Sequence, residues 1–445
     1  MSEIIRNTDR KRGIIMGAIH TLLQDVTVPN MARIRQVFDD THIETADIPK
    51  VLREQLLRPA IAGTIPAGGE VAITVGSRGI SNIPLITKAI ADFVKEKGAT
   101  PFIVPAMGSH GGALAEGQRQ ILESYGVTEE SVGCEIRSSM ETVEIGTTED
   151  GHPVRIDKHA AEADGIIVAG RVKPHTAFRG PYESGLMKMM AIGLGKQYGA
   201  SIVHEDGFEK FAENIPKFGT AILKNSKVLF GVGILENAYD KTRELHALTP
   251  QEIIEKEPEL LRKAKAYMPR ILFDSCDVLV VDEIGKNISG DGMDPNISGR
   301  FCTDCASGGI NAQRVAVLSL TEASHGNANG IGLADVTTRR MLNQMDFEAT
   351  YPNTITNKIT ETMKIPMVME SDKLAIQMAV RTCFGIDESS PRIVRIRNTM
   401  ALEYIEISEA MLEEARKNPQ IEIVSEPVPL PFDAQNNLLG SMDTK

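Results

Sequence analysis

Three histidines stand at turns marked by glycine or proline: His110 in Met107-Gly-Ser-His-Gly-Gly112, His175 in Lys173-Pro-His-Thr176, and His204 in Gly199-Ala-Ser-Ile-Val-His-Glu-Asp-Gly207. An imidazole with an ordinary pKa of about 6.5 gives and takes protons near neutrality, and its neutral ring ligates nickel, zinc or copper. His175 sits in a loop with Arg171, Lys173, Arg179 and Lys188, directly after the apolar run Gly165 to Gly170. Functional side chains collect on such loops, at the carboxyl ends of strands in α/β proteins. Lys188 follows Ser184-Gly-Leu-Met in a methionine-rich run. A lysine desolvated there becomes nucleophilic, whereas one snorkelling at a helix edge keeps its charge.

The turn Gly76-Ser77-Arg78-Gly79, after a strand and before a helix, offers backbone amides and a guanidinium to a phosphate or carboxylate. It is neither the dinucleotide fingerprint nor a P-loop, which disfavours an ordinary NAD or ATP enzyme. Further on, Asp282 to Arg300 reads as a long glycine-rich loop, with Lys286 and Arg300 as candidate clamps for a substrate carboxylate. Glu205, Asp206, Asp282 and Glu283 lack a diagnostic Mg²⁺ spacing. Cys302-Thr-Asp-Cys305 has the spacing of a zinc or dithiol pair. With only His325 further along the chain, two thiols are the plainer reading.

These residues need a scaffold, and the chain supplies alternating strand and helix signals. Val71–Val75 reads as a buried strand; a helix then opens at Ser81 or Asn82, with Pro84 in its first turn and the stripe Ile86, Ala89, Ile90, Phe93, Val94. Strand Pro101–Pro105, helix Leu114–Tyr125 and a strand from Asp164 to Ala169 continue the pattern. Later come Phe230–Leu235, a helix over Thr249–Tyr267 and a strand over Asp277–Asp282. Strands are expected near Arg314–Leu320, Ala375–Ala379 and Ile393–Ile396, with helices near Asp335–Met345 and Ser408–Lys417. The expectation is an α/β protein of two α/β domains, with mostly parallel sheets flanked by helices and an active-site cleft between the domains. The boundaries read as 1–270, 271–424 and an irregular extension over 425–445.

At 445 residues the chain exceeds what one core usually organises. A formal charge of -12 and the absence of tryptophan argue against a nucleic-acid partner, which needs a concentrated basic face. No apolar run approaches the ~20 residues of a membrane span, and the first residues lack a signal-peptide core. Five cysteines, an odd number, fit a reducing compartment. A cytoplasmic protein with a small-molecule ligand is expected, with a homo-oligomer left open.

Taken in order, the turn with Arg78, the Gly-Ser-His-Gly turn with His110, the loop with His175, Ser184-Gly-Leu-Met-Lys188 and His204 resemble the nickel-dependent lactate racemase family. The resemblance implies two α/β domains around a nickel-pincer nucleotide, pyridinium-3-thioamide-5-thiocarboxylic acid mononucleotide, made by cofactor-biosynthesis enzymes of the cell. It implies racemisation or epimerisation of a 2-hydroxy acid. His110 and His175 would be the acid/base pair, Lys188 the covalent anchor of the cofactor and His204 the nickel ligand. Arg78, Ser77 and Ser184 would lie beside the cofactor, Arg78 near the substrate anion as well. Val75 stands where the family commonly has an aspartate, and the interval from His175 to Lys188 is longer, so lactate itself does not follow as substrate. Arg179, Tyr182 and Glu183 point to a larger or more hydroxylated acid. Two other classes compete: a non-catalytic binding protein for the nucleotide or an anionic metabolite, and a hydrolase using a metal held by His204 and nearby acids.

Overall fold

The computed structural model describes residues 17–440 and 442. The chain is α/β and divides into two units: one of residues 39–268 with 303–306, the other of 1–38, 269–302 and 307–445.

The unit that carries the histidines is built on a six-stranded sheet. In spatial order its strands are Glu135–Ile136, Thr100–Pro105, Glu70–Val75, Gly165–Arg171, Val228–Glu236 and Thr242–Leu248. All neighbours are parallel except the last pair, an antiparallel hairpin. Successive side chains point to opposite faces. Thus Val71, Ile73, Val75, Ile167 and Ala169 enter one core, with Ile86, Ile90, Phe93 and Val94 of the helix Ile83–Glu96. Ala72, Phe102, Val104, Ile166 and Val168 enter the other. Helices Phe211–Asn225 and Pro250–Tyr267 cover that second face through Ile215, Phe218, Ile222, Ile253, Leu260 and Leu261. Each fully buried aliphatic or aromatic side chain contributes about 1.5–3 kcal/mol, so two-sided burial is what makes these strands nearly uniformly apolar. The helix Pro250–Tyr267 starts with a capping box, in which Thr249 and Glu252 satisfy each other's backbone amides.

The other unit holds an eight-stranded mixed sheet, in the order Met367–Met369, Val336–Thr338, Asn311–Leu320, Ser275–Ile284, Ile393–Ile396, Tyr404–Ser408, Met31–Gln36 and Ile421–Ile423. The first five are parallel and the remaining pairings antiparallel. Met31–Gln36 lies between strands from the far end of the chain, so a division at 270 does not describe the molecule: the described residues up to 38 belong with the C-terminal part. Periodicity does not report such non-local pairing. The described residues after 424 are short on regular structure but tied down, through Met31 paired with Val428 and the Leu438 amide on Asp372.

Two local expectations are overturned. Ala375–Ala379, read as a strand, lies in the helix Asp372–Arg381, whose cap is the Ser371 hydroxyl on the Leu374 amide. Leu374, Ala375, Ile376, Ala379 and Val380 are all buried, and a short run apolar on every side does not distinguish a buried helix from a buried strand. Asp335–Met345, read as helix, is the strand Val336–Thr338 followed by the helix Arg339–Gln344, with Thr338 capping on the Met341 amide.

Among the described residues no helix is long and apolar enough to cross a membrane.

Candidate active site

Three neighbouring parallel strands, Thr100–Pro105, Glu70–Val75 and Gly165–Arg171, end on the same edge of their sheet and release the turns that carry His110, Arg78 and His175. Across these ends runs one segment: a single helical turn, Leu186–Lys188, continued by a π-helix, Met189–Leu194. Glycines make the close approach possible. A Cβ on Gly76 or Gly170 would stand 2.9 or 3.0 Å from Met189 Cε, and one on Gly193 would stand 2.7 Å from the Ala106 carbonyl oxygen. Short π-helical stretches inside helices recur at functional sites.

Lys188 ends the helical turn, and its Nζ lies 2.7 Å from His175 Nε2. The other ring nitrogen of His175, Nδ1, accepts the Ala177 amide at 3.0 Å. Burial pushes the His175 pKa well below the ordinary imidazole range, and the neighbouring cations Lys188 and Lys173 push it the same way. The loop is closed at its base by paired backbone bonds between Lys173 and Ser184, of 2.9 and 3.0 Å. Inside it the fully buried Glu183 carboxylate accepts from the His175 amide at 2.8 Å, from Lys265 Nζ at 2.6 Å and from Arg179 at 3.3 Å. His175 is thus held from both sides of its backbone.

His204 closes the helix Lys196–His204 and shares an aromatic cluster with His175. His175 lies 4.6 Å from Phe178, centroid to centroid; Phe178 lies 5.3 Å from Phe211, and Phe211 lies 4.6 Å from His204. Phe208 stacks on Phe211 at 4.6 Å. Burial in this apolar setting, with Lys188 nearby, lowers the His204 pKa to about 4. Both imidazoles are therefore neutral at pH 7, the form in which a ring nitrogen binds a metal or accepts a proton.

His110 is exposed, and its Nδ1 lies 2.7 Å from the Met107 carbonyl oxygen. A carbonyl only accepts, so the proton sits on Nδ1 and the basic lone pair on Nε2. The Gly108 amide donates to the Gly193 carbonyl at 3.2 Å, which ties the His110 turn to the segment carrying Lys188. Arg78 is exposed on its turn, where the Tyr125 hydroxyl donates to the Ser77 carbonyl at 3.1 Å. Ser184 is the closing pair of the His175 loop.

Other expected residues have different duties. Tyr182 is buried and donates to the Ile254 carbonyl at 2.6 Å, while Arg179 donates to the His175 carbonyl at 2.7 Å. With Glu183 they build the loop, so they give no sign of a larger substrate. In the other unit, Lys286 follows the carboxyl end of Ser275–Ile284, and its Nζ donates to the Gly290 carbonyl at 2.6 Å. Arg300, expected as a carboxylate clamp, is bound instead to Asp335 at 2.7 Å and to the carbonyls of Ala312 and Gln313, at the amino ends of the strands Asn311–Leu320 and Val336–Thr338. Its guanidinium is committed to an ion pair at the end of the sheet opposite to Lys286. Among the described residues no group of three or more His, Cys, Asp or Glu side chains has metal-binding geometry, and no disulfide forms.

One buried carboxyl escaped the reading of the sequence. Glu257 Oε2 accepts the Met187 amide at 3.1 Å, so that from the helix Pro250–Tyr267 it caps the short helix that holds Lys188. Its Oε1 has no hydrogen-bond partner and lies where a side chain on Gly185 would collide with it. Burial raises its pKa to about 8, against the pull of the Met187 and Leu186 amides. Its placement in a run of alternating charged and apolar residues gave no sequence signal; only the buried phase of the helix, shared with Leu260, Leu261 and Ala264, marks it.

Residues 18–209 match the family model described as the lactate racemase N-terminal domain. Among solved structures, the lactate racemase apoprotein from Thermoanaerobacterium thermosaccharolyticum aligns at 13% identity with a TM-score of 0.49, over 83% of this chain and 99% of that one. None of the curated proteins matches the chain. Over the stretch that carries Arg78, His110, His175, Lys188 and His204, the chain is thus similar to the N-terminal domain of lactate racemase.

Proposed function

We propose that the protein is a racemase or epimerase of a 2-hydroxy acid, with a nickel-pincer nucleotide anchored on Lys188, His204 as the protein's ligand to nickel, and His110 and His175 as the two acid/base residues. The observation that carries the proposal is the 2.7 Å contact between Lys188 Nζ and His175 Nε2, inside the stretch that matches the lactate racemase N-terminal domain.

The donor set fits such a cofactor. With no three-ligand cluster among the described residues, a metal here would need most of its ligands from an organic group, and His204, neutral at pH 7, can add one. A hydrolytic metal held by protein side chains alone, the competing enzyme reading, takes three ligands. When bound, the pincer nucleotide supplies a ring that accepts the C2 hydrogen of the substrate as hydride and returns it.

The residues' own chemistry follows from their hydrogen bonds. The Ala177 amide donates to His175 Nδ1, so a neutral ring carries its proton on Nε2. That nitrogen faces Lys188 Nζ at 2.7 Å. From this position beside His175, Lys188 Nζ would hold the cofactor. A Lys188 holding the cofactor through a thioamide nitrogen would carry no charge beside His175. Removing hydride from C2 also requires loss of the hydroxyl proton, and the resulting keto acid is planar. A proton-transfer residue on each face, His110 and His175, would allow the hydrogen to be restored on either side.

The test is the protein produced with nickel and the cofactor-biosynthesis enzymes, given optically pure 2-hydroxy acids and followed by chiral chromatography. Loss of optical purity is expected, with a fall of about 10²- to 10⁴-fold in His110→Ala and His175→Ala. Full activity in both variants would overturn the assignment.

A further inference from the structure

The His110 turn is rich in left-handed backbone. Gly108, Gly111 and Gly112 have φ of +58°, +68° and +66°, and Ala113 has +56°, so four residues around His110 are left-handed. Besides its own bonds to Met107 and the Gly108 bond to Gly193, the turn is held by a buried polar chain that begins at Lys196. This lysine follows the π-helix, has φ +53°, and is fully buried. Its Nζ lies 3.2 Å from Asp157 Oδ2, a carboxylate that is likewise fully buried, and it donates to the Pro105 carbonyl and, at 3.2 Å, to Gln118 Oε1. Gln118, also buried, donates through Nε2 to the carbonyls of Gly108 at 2.9 Å and His110 at 3.2 Å.

The direction of this chain is fixed by chemistry. An ammonium only donates, so it takes the oxygen end of the Gln118 amide and leaves the NH₂ end facing the turn. An apolar side chain at 196 would fill the space more cheaply, because a buried ion pair gives little net stability over apolar residues of the same volume. What an apolar residue lacks is the power to orient Gln118. Burial lowers the Lys196 pKa and Asp157 opposes that shift, which accounts for a carboxylate at the far end.

We infer that Lys196, acting through Gln118 and charge-balanced by Asp157, is a positioning residue that sets the orientation of His110. The inference rests on the reading of His110 as an acid/base residue for its functional meaning, but not for its test. With Nδ1 of His110 fixed on the Met107 carbonyl, ¹⁵N-edited NMR of the histidine rings in the protein without cofactor reports the turn directly; the chain has nine histidines. Lys196→Met with Asp157→Asn removes both charges while keeping an Asn oxygen for the cap that Asp157 Oδ1 forms on the Ala160 amide. Gln118→Leu breaks the chain nearer the turn and leaves the ion pair intact, which guards against a double variant that does not fold. Expected in each is a His110 that changes from a single Nδ1–H tautomer to a mixture while the His175 signals stay put, and, in the loaded enzyme, a kcat lowered about tenfold to a hundredfold with KM little changed. An unchanged His110 tautomer in either folded variant, or an equal disturbance of all histidines, would overturn the inference. A changed tautomer with undiminished activity would uphold the positioning and remove His110 from the chemistry.

Discussion

Replacing Glu257 by glutamine should flatten the stability of this protein between pH 6.5 and 8. The carboxyl is 1% exposed, and its pKa in the folded chain, about 8, stands above the ordinary 4.5. A carboxyl with a raised folded pKa holds its proton more tightly in the native state, so unfolding releases protons and stability falls as pH rises from about 4.5 to about 8. Each pH unit in that range costs up to about 1.4 kcal/mol. His175 and His204 act with the opposite sign, because their lowered pKa values make the unfolded chain the better proton binder, but only below about pH 6.5. Both proteins share these histidines, so their contribution cancels in the difference, and from pH 6.5 to 8 the wild type should lose up to about 2 kcal/mol relative to Glu257→Gln. Glutamine keeps an acceptor for the Met187 amide and does not titrate. The assay is urea unfolding of both proteins at several pH values across the window, taking the difference so that other titrations cancel. Parallel curves would show that the carboxylate is ionised and satisfied at pH 6.5, and the burial argument would be refuted.

Gly185→Ala should displace the Glu257 cap and cost about 1–3 kcal/mol in urea unfolding, since its Cβ would collide with Oε1; stability within error of wild type would show that the contact relaxes freely. Glu183→Gln should cost about 1.5–3 kcal/mol and speed proteolytic cleavage between residues 174 and 183, because four donors, including the Lys265 ammonium, lose a charged acceptor. His204→Phe should reduce the loss of stability seen when the pH falls from about 6.5 towards about 4, where the folded His204 of the wild type resists a proton that the unfolded chain takes up. Equal acid sensitivity in the two proteins would show that His204 protonates in the folded state.

The sequence exposed the parallel strands and their carboxyl-end turns because two-sided burial makes the strands apolar and glycine marks the turns that follow. For the same reason Gly76, His110, His175 and Lys188 were found on neighbouring strand ends and their crossing segment. What it concealed depends on contacts far apart along the chain. Met31–Gln36 pairs with strands some 370 to 390 residues away. Glu257 caps Met187 from 70 residues further on, and Lys196 reaches the carbonyl of Pro105. Arg300 looked available because a glycine-rich loop carries it, yet its partner Asp335 lies 35 residues downstream. Tyr182 and Glu183 looked like substrate contacts because polar residues in a site loop have that appearance until their hydrogen bonds are seen to close the loop itself.

The most direct test of the central proposal is the mass of the peptide around Lys188, with the nickel content, in protein produced together with nickel and the cofactor-biosynthesis enzymes and compared with Lys188→Ala. A covalent adduct on Lys188 with stoichiometric nickel, both lost in the variant, is the predicted result. Unmodified Lys188 in protein that nonetheless racemises a 2-hydroxy acid would contradict the anchoring role, and unmodified Lys188 without nickel or activity would contradict the proposed function as a whole.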